Sequence, residues 1–107
     1  MSRPLVSVIV PVYNRGEAIG KCIKSLLAQE YPKKKLEIII VDNNSNDKTK
    51  DTIKKYPVKY LLEKEKGSYA ARNKGIEHAK GEIIAFTDSD CIADKQWVSC
   101  LAEGFED

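Results

Sequence analysis

No apolar stretch in these 107 residues approaches the roughly 20 that a membrane-spanning helix needs, and the N-terminus lacks the basic-then-apolar layout of a signal peptide. The expectation is a cytoplasmic chain, at the cytoplasmic membrane face in a longer protein. Charge of one sign is missing too: 18 basic and 16 acidic residues mix along the chain to a net +2, which excludes the broad basic face of a nucleic-acid binder. Three cysteines, Cys22, Cys91 and Cys100, are an odd number with no close pair spaced as zinc ligands are, so neither a disulfide framework nor a structural zinc site is expected. Buried, reduced thiols are the simpler reading. The single histidine, His78, sits beside Glu77 in a helical stretch and reads as a surface residue. No G-x-G-x-x-G and no G-x-x-x-x-G-K-[ST] follows any apolar run, which removes a Rossmann dinucleotide site and a P-loop ATPase.

What remains is an ordinary globular composition, 42% hydrophobic and 32% charged, without internal repeats, and of a size for one domain over residues 1–107. Residues 5–12, "LVSVIVPV", and 36–41, "LEIIIV", are β-branched and nearly continuously apolar, as strands buried on both faces are. "VKYLL" (58–62) and residues 82–87 complete four strands. Between them, Ala18, Ile19, Cys22, Ile23, Leu26 and Leu27 line one side of a helix. A second helix covers 46–56, started by Asn46 or Asp47 and ended by Pro57. A third covers 68–80, with Ser68 as N-cap and Gly81 as its stop, and a fourth follows Asp94 with Trp97, Val98, Leu101 and Phe105 on one face. Alternation of this kind predicts an α/β fold: an open parallel sheet of about four strands with helices on both faces and right-handed crossovers.

Ligands of such sheets bind outside the carboxyl ends of the strands. Here those ends read "PVYN", "DNNS", "EKEKG" and "DSD", which would bring Tyr13, Asn14, Asp42, Asn43, Asn44, Asp88 and Asp90 to one edge. The opposite edge ("AQEYPKKK", "KKYP", "AKGE") has lysines and turn formers without clustered aspartates. Two carboxylates side by side repel unless something positive lies between them. At a strand end, Asp88 and Asp90 would point to the same side, and two hard oxygen ligands with no histidine or thiol nearby suit Mg²⁺ or Mn²⁺. Magnesium is usually shared with substrate phosphates, so a diphosphate is the natural third party. Arg72 or Lys66 would meet the rest of its charge. Asp42, directly after "EIIIV", could accept from a base N–H or a ribose hydroxyl.

The segments "VSVIVPVYNR", "EIIIVDNNSNDKT", "GSYAARNKGI" and "IIAFTDSDC" followed by "WV" and "L" closely resemble, in order and spacing, the start of the family 2 glycosyltransferases, inverting enzymes of the GT-A fold. The resemblance implies a nucleotide-sugar site made of Pro11, Val12, Tyr13, Asn14, Asp42, Asn44, Arg72, Asp88, Ser89 and Asp90. Tyr13 would lie against the base, Asp42 would bond the uracil or its equivalent, and Asp88 would approach the ribose or join Asp90 in holding the cation. Implied partners are a nucleotide-diphosphate sugar, a UDP-sugar first, and an acceptor glycan or lipid-linked sugar. In that family the general base and the acceptor strands lie in later segments, so the base is expected downstream of residue 107 and the chain reads as the donor-binding part, binding donor without efficient turnover. Glu103, Glu106 and Asp107 come too early to serve. An exposed apolar surface and self-association are expected where the remainder would pack.

Three other readings compete. A nucleotidyltransferase would carry a glycine-rich basic loop after the first strand, of which "PVYNRGEAIG" is a poor version. A phospho-accepting receiver domain would need its acidic pair after the first strand, whereas here the pair follows the fourth. A non-catalytic nucleotide-binding or protein-binding remnant would keep the fold and lose the chemistry.

Overall fold

Apolar runs covered on both sides become strands, because only a sheet buried on both faces has no place for polar alternation. In the computed structural model, which describes residues 3–105, β1 is Val6–Val12, β2 is Leu36–Asp42, β3 is Lys59–Leu62 and β4 is Ile83–Phe86. Helices α1 (Ala18–Leu27), α2 (Thr49–Lys54), α3 (Ser68–His78) and α4 (Trp97–Glu103) alternate with them, and a 3₁₀ turn, Lys33–Lys35, leads into β2. The sheet order is β3-β2-β1-β4 and every pairing is parallel. Val8 lies opposite Ile38 on one side and Ala85 on the other; Ile9 lies opposite Ile39 and Phe86.

This register sorts the strand residues into two cores. Val6, Val8, Val10, Val12, Ile38, Ile40, Ile83 and Ala85 pack under Ile19, Ile23 and Leu26 of α1, Ile53 of α2, and Val98 and Ala102 of α4. Each Val, Ile or Leu side chain fully buried there, such as Val8, Ile40 or Leu26, contributes about 1.5–3 kcal/mol. On the other face Ile9, Ile39 and Val41 meet Ala71 of α3. That helix covers β1 and β2. The outward residues of β4, Ile84 and Phe86, stay 39% and 42% exposed.

Helices on both faces and the four-plus-four alternation are as expected; the element ends differ. The second helix starts at Thr49 because the Asp47 carboxylate accepts from the Thr49 N–H at 2.9 Å and holds the preceding residues in a turn. Ser68 is the first residue of α3 and not its cap; Gly67 occupies the cap position without a side-chain bond. Gly81 does not stop α3, which ends at His78 with Ala79 extended. It allows close approach instead: a Cβ there would lie 2.6 Å from the Ser7 amide nitrogen and Oγ. Asp94 does accept from the Gln96 N–H at 3.0 Å ahead of α4, but Phe105 lies beyond that helix and is 71% exposed. Of the cysteines only Cys22 is buried, since Cys91 falls on a turn and Cys100 on the outward side of α4. His78 is half-buried, its Nδ1 3.0 Å from the Lys74 carbonyl. Glu106 and Asp107 lie outside the described residues.

The chain runs from β1 through β2 to β3 in one direction and then returns through α3 to add β4 on the other side of β1, so the strand order reverses between β1 and β4. The crevice of such a fold opens at the carboxyl ends of those strands.

Candidate functional site

Four loops meet at this edge, and most of their side chains are spent on fixing one another. After β1, Tyr13 is 53% exposed and Asn14 adopts φ +49°. The Asn14 N–H donates to Ser45 Oγ at 2.9 Å, and its Oδ1 accepts from the Asn46 N–H at 3.0 Å. After β2, Asn44 adopts φ +62°. Asparagine tolerates this left-handed region better than most residues, which gives both asparagines a backbone reason to be where they are. Asp42 ends β2 and is only 1% exposed. Its Oδ1 accepts from the Ser45 N–H at 2.9 Å and its Oδ2 from the Tyr60 hydroxyl at 2.7 Å. Burial, then that bond and the charge of Asp42, push the Tyr60 phenol well above its usual range.

The third loop, between β3 and α3, is tied by Asn43. Its Nδ2 donates to the carbonyls of Glu63 (2.9 Å) and Glu65 (2.6 Å), and its Oδ1 accepts from the Gly67 N–H at 2.9 Å. Gly67 has φ +115°, a conformation that other residues rarely adopt, and from it α3 begins.

The fourth loop carries the acidic pair. Strand β4 stops at Phe86, so a turn and not strand alternation brings Asp88 and Asp90 together; the Cys91 N–H closes it onto the Asp88 carbonyl at 3.1 Å. The thiol of Cys22, reaching from α1, donates to the same carbonyl at 3.6 Å. Burial, reinforced by Cys91, Asp90 and Asp88, pushes that thiol up to about 11 and keeps it a donor. Ligand atoms of Asp88, Asp90 and Cys91 all lie within 4.8 Å of one another, and all three residues are exposed. The expectation of no thiol nearby is thereby corrected: Cys91, one residue past the pair, shares its turn.

Cavities connect these loops. One of about 210 Å³ is lined by Pro11 and Val12 of β1, Tyr13 just after it, Arg72 and Ser68 from α3, Asn43, Asp88 and Ser89. A wider one, of about 700 Å³, has Tyr13, Asn44, Lys64, Lys66 and Gly67 on its walls. A third, of about 410 Å³, opens beyond Arg72 and Asp88 toward Phe86, Ile92 and Trp97. Among the described residues the one ion pair is Lys95 with Glu30 at 4.0 Å, so Arg72 is exposed and committed to no carboxylate. Six of the ten sequence-selected residues (Pro11, Val12, Tyr13, Arg72, Asp88 and Ser89) thus line one cavity, and Asn44 lines the adjoining one. Asn14 braces the loops, Asp42 lies buried beneath them, and Asp90 is exposed at the turn. Sequence reasoning brought Asn43 to this edge without giving it a role in the site, and passed over Lys64, Gly67, Ser68 and Cys91. The signal for Gly67 was its place directly ahead of a helix at a strand's carboxyl edge.

Residues 7–107 match the family model for glycosyl transferase family 2. The chain belongs to that family. Among curated family-like relatives it is 48% identical over 101 residues to the glycosyltransferase AglE of Haloferax volcanii, covering 89% of this chain and 33% of AglE. It is 41% identical over 92 residues to a poly(ribitol-phosphate) beta-glucosyltransferase of Bacillus spizizenii, covering 79% of this chain and 14% of that protein. It therefore spans a third or less of either. Of solved structures, S. aureus TarS 1-349 in complex with UDP superposes with a TM-score of 0.86 at 32% identity, over 92% of this chain and 31% of that one. The mannosyltransferase PcManGT of Pyrobaculum calidifontis, in complex with GDP-Man and Mn2+, gives 0.83 at 34% identity, over 89% and 30%. This family 2 chain has the GT-A fold, and its relatives are glycosyltransferases. The nucleotidyltransferase and receiver readings give way to it.

Proposed function

We propose that this chain holds the donor of an inverting glycosyltransferase, a nucleotide-diphosphate sugar with UDP as its first candidate nucleotide, as one domain over residues 1–107. The observation that carries the reading is the convergence of Tyr13, Arg72, Asp88 and Ser89 on one cavity at the β1/β4 edge, with Asp90 on the adjoining turn. Tyr13 offers an exposed ring to the base. Asp42 retains a lone pair on each oxygen for a base N–H, although its burial makes holding the Ser45 loop its first task. Arg72, free of carboxylates, meets the diphosphate, where a planar guanidinium binds phosphate oxygens in pairs.

The donor set of Asp88 and Asp90 fits a small divalent cation, Mg²⁺ or Mn²⁺, with the exposed Cys91 sulfur on the same turn. A cation bound there supplies Lewis acidity for the diphosphate leaving group. Arg72 adds fixed positive charge at the place where charge develops during displacement at the anomeric carbon. Donor binding without efficient turnover is the activity proposed for these residues, with a glycan or lipid-linked sugar as the acceptor. The proposed setting is cytoplasmic; no described helix is long and apolar enough to cross a membrane. The exposed Ile76, Ile84 and Phe86 support self-association of the chain, which light scattering over a micromolar concentration series would reveal as a rising mass.

Calorimetric titration with UDP and then GDP, with and without Mn²⁺, tests the reading against an Asp90→Ala variant. Binding that requires Mn²⁺ and disappears in the variant is expected. Binding of neither nucleotide would leave a remnant that has kept the fold without the site.

A further inference from the structure

Asn43 does more hydrogen bonding than any other side chain at the site, and all of it goes to one loop. Both donors of its amide and its carbonyl oxygen are used, at 2.6–2.9 Å, on backbone groups of Glu63, Glu65 and Gly67. Its own N–H donates to the Val12 carbonyl at 2.8 Å, which anchors the amide to the end of β1. The stapled segment is short and strongly charged, with the sequence Glu63-Lys64-Glu65-Lys66-Gly67, exposed throughout except for the half-buried Glu63. Such a segment buries little apolar surface and has little reason to hold one conformation unaided. Held as it is, it brings Lys64 and Lys66 onto the wall of the cavity whose other side is Tyr13. Without an anchor, long lysine side chains on a mobile loop would lose both position and the entropy of being ordered at binding.

We propose that Asn43 is a positioning residue that aims Lys66 into the wider cavity, which shares Tyr13 and Ser68 with the Arg72–Asp88 cavity, so that the loop's ammonium meets phosphate charge of a nucleotide spanning the two. The inference rests on the nucleotide reading of this edge and extends it to a residue that does not itself touch the ligand. Asn43 acts through the backbone carbonyls of Glu63 and Glu65, and the amide of Gly67 fixes the far end of the same segment beside Lys66. Asn43→Asp is the informative substitution: it is isosteric, keeps an oxygen for the Gly67 N–H, and replaces the two donated bonds by repulsion between a carboxylate and two carbonyls.

The experiment is a double-mutant cycle on UDP affinity, measured calorimetrically in Mn²⁺ on the wild type, Asn43→Asp, Lys66→Gln and the double variant. Amide hydrogen exchange of Gly67 is followed in each protein. The expected results are a loss of about tenfold in UDP affinity for either single variant, and a double variant no weaker than the weaker single. Affinity of the wild type should fall with added salt, and that dependence should flatten in both single variants, because the screened contact has gone. Protection of Gly67 should drop in Asn43→Asp and persist in Lys66→Gln. Additive losses, or an unchanged salt dependence in Asn43→Asp, would overturn the inference and leave Asn43 with a purely structural role. Should the folded wild type bind no UDP at all, the nucleotide reading falls and the inference with it, whatever Gly67 shows.

Discussion

The two edges of the sheet are built from the same kind of contact and left in different states. At the amino edge, the Ser7 hydroxyl donates to Glu37 Oε1 at 2.7 Å, the Lys80 N–H donates to the same oxygen at 3.0 Å, and the Gly81 N–H donates to Ser7 Oγ at 2.8 Å. That network closes on itself. The carboxyl edge has its own closed networks around Asp42, Asn43 and Asn14, but they serve as a frame. On the frame stand Tyr13, Lys66, Arg72, Asp88 and Asp90, all exposed. Polar groups that only stabilise a fold find their partners within it, whereas a binding edge keeps some uncommitted. Substitutions at the two edges should therefore separate into losses of stability and losses of binding.

The largest effect is expected at the closed edge. Gly81→Ala places a Cβ 2.6 Å from the Ser7 backbone nitrogen and 2.9 Å from the Ile83 carbonyl, both rigid. A loss of about 2–3 kcal/mol in denaturant unfolding is expected, with unaltered UDP affinity in the folded fraction. A drop in affinity comparable to the drop in stability would break the division between edges. Next in size is Arg72→Gln at the open edge, which should weaken UDP binding about tenfold while leaving the melting temperature in place, because the side chain is exposed and unpaired. Equal loss of stability would show that Arg72 belongs to the frame.

The smallest effect sharpens the picture with pH. Burial would raise the Glu37 carboxyl, but the Lys80 N–H, the Ser7 hydroxyl and the charges of Lys59 and Lys80 outweigh it and hold the group below its ordinary value. A carboxyl lowered on folding contributes stability above the unfolded pKa, about 4.3, and loses it as pH falls through the lower folded value. Glu37→Gln should thus be less stable than wild type by well under about 1 kcal/mol near neutral pH, because solvent screens this largely accessible carboxylate, with the gap closing below about pH 4. A gap independent of pH would mean that shape, not charge, holds that edge.

Much of this was legible in the residues themselves. The runs "VSVIVPV" and "EIIIV" could be strands only if both faces were covered, and both are. The polar residues after each strand then had to share an edge by topology. Local geometry was less accessible. Asp88 and Asp90 were expected to converge through strand alternation; a turn does it, because β4 ends two residues earlier, and the same turn admits Cys91. Asp42 was read as facing a ligand, yet its burial depends on the Tyr60 hydroxyl, 18 residues away, and no local pattern gives that distance. Asn43 was visible only as one more polar residue of "DNNS", since its role comes from a loop 20 to 24 residues on. Ser68 looked like a helix cap by residue type; the left-handed Gly67 beside it took the position.

The most direct test of the central claim is a crystal structure of the chain with UDP and Mn²⁺, with anomalous scattering recorded for the metal. The account predicts a manganese peak at coordinating distance from Asp88 and Asp90, and a uracil ring against Tyr13 with its diphosphate toward Arg72. Nucleotide density elsewhere, such as in the cavity lined by Leu27, Leu36 and Pro57, or a manganese peak away from the acidic turn, would contradict it.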